Sequence, residues 1–164
     1  MEELGGMGMK VIFLDVDGVL NYVNCKIIAP SGFYFVDDNC IIRLKEIIER
    51  TKANIILSST WRQGYYDLQE GSTTSAVKDY QALQDKLREF DINIYGHTPI
   101  LKEMHRGSEI LSWLQTAKDE VEAMVILDDG NDLYPLEKYH VKTSFKTGLR
   151  TKNVMEAIRM LNGA

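Results

Sequence analysis

Two aspartates one residue apart, Asp15 and Asp17, end the apolar run Val11-Ile12-Phe13-Leu14, and Gly18 follows them. A side-chain period of two puts both carboxylates on one side as a strand ends. Gly18 permits a tight turn and close approach of a ligand to backbone. Two further apolar runs end in oxygen-bearing residues: Asn54-Ile55-Ile56-Leu57 leads into Ser58-Ser59-Thr60, and Val125-Ile126-Leu127 leads into Asp128-Asp129. Carboxylates brought close raise each other's pKa unless a cation neutralises them. An all-oxygen donor set favours a hard cation, and Mg²⁺ suits one or two carboxylates completed by water and phosphate. The bland alternative, solvated loop acids or helix caps, accounts for one aspartate pair but poorly for three polar groups at three run ends.

What must position these residues is a set of strands alternating with helices. Val11–Leu14, Asn54–Leu57 and Ala123–Leu127 read as buried strands, Ile92–Tyr95 as a short one, and His140–Phe145 as a last, edge-like one. Helical stripes lie between them: Ile41, Leu44, Ile47 and Ile48 behind a cap at Asp37 or Asp38, then Tyr80, Leu83, Leu87 and Phe90. A helix begins at Glu109, and a final one, capped by Thr151, carries Val154, Ala157, Ile158 and Leu161. The polar stretch from Gln63 to Ser75 reads as loop, within an unassigned segment of about 61–76. The alternation predicts right-handed crossovers and an α/β three-layer sandwich: a parallel, doubly wound, Rossmann-like sheet of about five strands. Ligands of such sheets bind outside the carboxyl ends of the strands, where the three polar groups meet.

Length and composition bound the rest. The 164 residues suit one domain, read as a flexible leader over 1–8 and a single catalytic domain over 9–164. Lys+Arg 19 against Asp+Glu 24 gives a net charge of −5, which argues against a broadly basic nucleic-acid-coating surface. Asp15, Asp17, Asp128 and Asp129 would account for four of those charges, so the −5 says little about the outer surface. Cys25 and Cys40 form no CxxC pair, and no apolar run is long enough to span a membrane; both point to a cytoplasmic protein. His97, His105 and His140 have no zinc-ligand spacing, and there is no G-x-S-x-G elbow, Walker motif or G-x-G-x-x-G.

Asp15-Val16-Asp17-Gly18-Val19-Leu20-Asn21 resembles the first motif of the haloacid dehalogenase (HAD) superfamily, Ser58 its second, and Asp128-Asp129 with Asp132 its fourth. Ser58-Ser59-Thr60-Trp61-Arg62, Arg106-Gly107-Ser108-Glu109-Ile110 and Thr147-Gly148-Leu149 are similar to a narrower group, the small HAD domains associated with RNA-repair proteins. The resemblance implies a phosphomonoester hydrolase. Asp15 would be the nucleophile that becomes an aspartyl-phosphate, and Asp17 the general acid and base. Mg²⁺ would be held by Asp15, the Asp17 carbonyl and an acid of the pair Asp128 and Asp129. Ser58 and nearby backbone N–H groups would hold phosphoryl oxygens. The third motif needs one cation, for which Arg106 and Lys102 compete, with Arg106 preferred at the start of its helix.

Selectivity follows from what is missing. Asn21 to Val36 is long enough for a flap and Trp61 to His105 too spare for a cap domain, so the site is expected to be capless and open. Ser59, Thr60, Trp61, Arg62 and Lys102 are candidate substrate contacts, with Arg62 on a second phosphate and Trp61 stacked on a base. Tyr65 and Tyr66 lie in the expected loop. The leading substrate class is a nucleotide or a nucleic-acid terminal phosphate; a small metabolite phosphate is next. A receiver-type phospho-acceptor module and an inactive HAD-fold binding protein are the rivals from other classes. The order of the acid pairs argues against the first, and the intact motif set against the second.

Overall fold

The structure is a computed structural model and describes residues 8–163. The expected leader therefore lies, Gly8 apart, outside the described residues. Five strands, β1 (Met9–Leu14), β2 (Asn54–Leu57), β3 (Ile94–His97), β4 (Val121–Asp128) and β5 (His140–Lys142), form one sheet in the order β3-β2-β1-β4-β5. Every pairing is parallel. The helices are α1 (Asp38–Thr51), α2 (Gln63–Gln69), α3 (Ser75–Arg88), α4 (Arg106–Thr116) and α5 (Thr151–Leu161).

Alternation along β1 divides the core in two. Ile12 and Leu14 pack with Leu44 of α1, Leu83 of α3 and Ala157 of α5 on one face. Val11 and Phe13 pack with Ile110 of α4, Met124 and Leu133 on the other. Because both faces are covered, β1 and the second half of β4 are continuous apolar runs, which made them legible. The chain winds outward from β1 through β2 to β3, then crosses back to β4 on the other side of β1. The winding reverses at the carboxyl end of β1, which is where ligands of open α/β sheets bind. Receiver modules share the sheet type but have the order 2-1-3-4-5, so this topology departs from that rival.

Several boundaries differ from expectation. Where loop is expected over about 61–76, the chain finishes the 3₁₀ turn Thr60–Arg62 and then forms α2. A β-carbon at Gly64 would overlap Ala76 and Tyr80 of α3, so glycine is what lets these helices meet. Strand β3 starts two residues later than expected, because Asp91 turns at φ 58° and the Ile92 amide still closes α3 on Leu87 O. Helix α4 begins at Arg106, since the His105 side chain caps it by accepting from Ser108 N. Asp37, not Asp38, caps α1 through Asn39 N and Cys40 N. Thr151 lies inside α5, whose first turn is held by Arg150 N donating to Asn153 Oδ1. Strand β5 stops at Lys142, and Ser144 then bridges Gly148 to close a short loop.

Candidate active site

The strand ends converge through backbone bonds that reach just past the sheet. Asp15 N donates to Leu127 O at 3.0 Å, Ser58 N to Leu14 O at 2.9 Å, Thr98 N to Leu57 O at 3.1 Å, and Thr143 N to Asp128 O at 3.1 Å. Each residue following a strand is thus fixed by its neighbouring strand. Asp15, Asp128 and Asp129 each offer a carboxylate oxygen, and these atoms lie within 4.8 Å of one another. Gly18 is needed here twice over: its φ is +82°, and a β-carbon on it would fall on the Asp129 carboxylate. The Thr143 hydroxyl donates to Gly18 O at 2.6 Å and pins that turn.

Arg106, at the first turn of α4, answers this negative charge. Its Nη1 lies 2.6 Å from Asp128 Oδ2 and 3.6 Å from Asp15 Oδ1. Burial works against the charge on Arg106, but Asp15 and Asp128 outweigh it and raise the guanidinium pKa. Burial, and then the Asp128 carboxylate, push Asp15 well above the ordinary carboxylate range, with Arg106 opposing them. Burial and then Asp128 raise Asp129 as well. Three acids with one guanidinium are short of positive charge, which is the condition a divalent cation relieves. Lys102 lies exposed in the Leu101–Met104 turn. Of the two competing cations, the structure brings Arg106 to the cluster.

Asp17 faces elsewhere. Its carboxylate is outside the three-aspartate group and is gripped at both oxygens: Asn21 Nδ2 donates to Oδ1 at 2.8 Å and Trp61 Nε1 to Oδ2 at 3.2 Å. Asn21 is fully buried and also accepts from Gly18 N at 3.0 Å, so it ties the turn to the orientation of Asp17. Nothing in the sequence marks a residue four positions on as a hydrogen-bond donor to Asp17, so this role of Asn21 emerges only from the structure.

Ser58 is fully buried and its hydroxyl has no partner among the described residues. An orphaned buried hydroxyl at a strand end beside Asp15 has lost its water without gaining a bond. Ser59 accepts from Trp61 N at 3.1 Å and caps the 3₁₀ turn, so it shapes the loop. Thr60 and Trp61 line a cleft with Asp17.

Arg62 departs from expectation. Its side chain is 3% exposed, and its guanidinium is fully engaged. Nε donates to Thr98 O, Nη1 to Ser58 O and Ser59 O, and Nη2 to Pro99 O and to Glu109 Oε1 at 2.8 Å. A guanidinium has five N–H donors, and all five are used, so none remains for a second phosphate. Arg62 instead ties the loop after β2 to the loop after β3, and Glu109 of α4 completes the clamp by accepting from Leu101 N at 3.0 Å. Tyr65 and Tyr66 are ordered by the same region: Tyr65 stacks on His97 with centroids 3.7 Å apart, and Tyr66 Oη donates to Thr98 O.

The segment between Asn21 and Val36 is a flap. Ile28 bridges Tyr34, and Ser31 N donates to Asp79 Oδ1 of α3 at 2.9 Å, which docks the flap tip. An aspartate at the end of β1, a flap directly after it, acids after β4 and no large cap among the described residues define a HAD-like domain. The family model described as "HAD domain in Swiss Army Knife RNA repair proteins" matches residues 11–154. The chain belongs to that family, which supports a HAD-type hydrolase of the phosphatase kind. No curated protein is a significant match to the chain. Among the described residues no helix is long and apolar enough to cross a membrane.

Proposed function

We propose that the protein is a Mg²⁺-dependent phosphomonoester hydrolase that works through an aspartyl-phosphate on Asp15. The observation that carries this reading is the cluster of Asp15, Asp128 and Asp129 with Arg106, flanked by the separately held Asp17. The oxygen-only donor set fits Mg²⁺, which Asp15, Asp128 or Asp129, and the Asp17 carbonyl would hold. When bound, it offsets the repulsion between an anionic nucleophile and an anionic phosphoryl group.

The chain's own residues then divide the work. An Asp15 oxygen attacks phosphorus as the bond from phosphorus to the leaving oxygen breaks, and protonated Asp17 gives that oxygen its proton. Asp17, now a carboxylate, takes a proton from water. The water oxygen attacks phosphorus, the bond to Asp15 breaks, and phosphate leaves. Ser58 Oγ and the backbone amides after β2 hold phosphoryl oxygens, and Arg106 carries charge as it builds. Trp61 and Asn21 keep Asp17 on the leaving-group side.

The substrate class we propose is a nucleotide or a nucleic-acid terminal phosphate, supported by the RNA-repair family and by the capless, open site. A cytoplasmic location is supported by Cys25 and Cys40, both buried and free. The test is turnover of p-nitrophenyl phosphate with Mg²⁺ by the wild type and by Asp15→Asn and Asp17→Asn. Asp15→Asn abolishes turnover, and Asp17→Asn lowers kcat by about 10²–10⁴-fold. Full activity in Asp15→Asn refutes the reading.

A further inference from the structure

Beside Asp17 opens a cleft of about 500 Å³, walled by Phe33 and Tyr34 of the flap, Trp61, Phe145 and the carboxylate of Asp79. Four of its lining residues are aromatic. Phe33 is 75% exposed, and Phe145 38% exposed. Tyr34 and Phe145 stand 6.0 Å apart between centroids, within the range of favourable ring contact.

Asp17 fixes which part of a substrate enters. The group that protonates the leaving oxygen forms one wall of the cleft, so the atoms beyond that oxygen fall among these rings. The charge of the walls narrows the chemistry. Asp17 and Asp79 are the charged lining residues, and among the described residues no cation lines the cleft. A second phosphate placed there would meet two carboxylates and no cation, whereas a flat uncharged ring would stack on the aromatic walls. Asp79 has one oxygen engaged by Ser31 N at 2.9 Å. Its other oxygen is free to accept from an N–H on a ring edge, which a nucleobase offers and a phenol ring does not.

We infer that this cleft is a base-binding site: it takes the nucleobase of the nucleotide that carries the scissile phosphate. Phe33, Tyr34, Trp61 and Phe145 supply the stacking surface, and Asp79 selects a ring with an N–H edge. The inference rests on the phosphatase reading and adds the determinant of substrate choice. The same base arrives on a free nucleotide or on the end of a strand, and the two sources are separated by assay.

The experiment compares kcat/KM for glycerol 2-phosphate, nucleoside 3′- and 5′-monophosphates, and short 3′- or 5′-phosphorylated oligonucleotides. The expected result is a preference of about tenfold or more for a base-bearing substrate over glycerol 2-phosphate, expressed in KM. In Phe33→Ala the ratio of the two kcat/KM values falls about tenfold. Asp79→Asn retains an acceptor for Ser31 N and lowers kcat/KM for the nucleotide relative to p-nitrophenyl phosphate. A larger kcat/KM for the oligonucleotide than for the monophosphate assigns the source to a strand end, and the reverse to a free nucleotide. A wild-type ratio near one, or a ratio that Phe33→Ala leaves unmoved, overturns the inference while leaving the phosphatase intact. If no phosphomonoester is turned over, the phosphatase reading fails by itself. Tryptophan fluorescence in Trp113→Phe, titrated with adenosine and guanosine, then decides the cleft. Quenching of Trp61 that Phe33→Ala abolishes supports it, and no quenching overturns it.

Discussion

Replacing Arg62 with methionine separates a structural role from a substrate-binding one. The substitution removes five donated hydrogen bonds and leaves Glu109, itself 4% exposed in its side chain, as a buried carboxylate without its guanidinium. Breaking a buried pair by removing one partner costs about 3–5 kcal/mol. For a chain of this size 1 kcal/mol corresponds to about 2–4 °C, so Tm should fall by about 6–20 °C. The assay is a circular-dichroism melt of Arg62→Met, Glu109→Leu and the double variant. Each single variant melts early, and the double variant recovers much of the loss, because no charge is then left buried alone. A phosphate-binding Arg62 would give the opposite pattern: a raised KM with Tm within about 2 °C of wild type. That result would refute the clamp.

Three further outcomes follow from the site. In EDTA, Asp15→Asn should melt above wild type, because burial and Asp128 disfavour the Asp15 carboxylate and Arg106 keeps Asp128 as a partner. Mg²⁺ should raise the Tm of the wild type more than that of this variant. Trp61→Phe removes the indole N–H that holds Asp17 Oδ2, so kcat should fall about tenfold with a smaller change in KM. Burial lowers His97 to about 4 from its usual 6.5. The unfolded chain takes up that proton first as pH falls, so stability is unaffected above about 6.5 and is lost between about 6.5 and 4. Between pH 7 and 5 the loss amounts to about 1 kcal/mol, read from urea midpoints at the two pH values; His97→Phe flattens it.

What could be read from the sequence divides along a physical line. The ends of β1, β2 and β4 were legible because strands buried on both faces are unbroken apolar runs, and a polar residue just after such a run stands where ligands bind. Arg106 could be preferred over Lys102 because it opens an amphipathic helix, and α4 does present it to Asp128. Helix α2 was not legible: Gln63-Gly64-Tyr65-Tyr66-Asp67-Leu68-Gln69 is too short and polar to show a period, and its place is set by Gly64 meeting α3. Arg62 was misread because the carbonyls and the carboxylate that saturate it come from three separate segments, which no local spacing announces. Asn21 and Thr143 were missed for the same reason: Thr143 reaches Gly18 across 125 residues of sequence. The aromatic cleft, too, exists only when the flap, the turn after β2 and the loop after β5 are brought together.

The central claim is that Asp15 carries the phosphoryl group. The direct measurement is a rapid acid quench of the Mg²⁺-loaded enzyme mixed with a phosphomonoester, followed by intact-protein mass spectrometry and borohydride reduction of the trapped species. The account predicts a single added phosphoryl group on Asp15, labile to hydroxylamine and absent from Asp15→Asn. Steady-state turnover with no phosphoenzyme at any quench time, or a phosphoryl group on another residue, would contradict it.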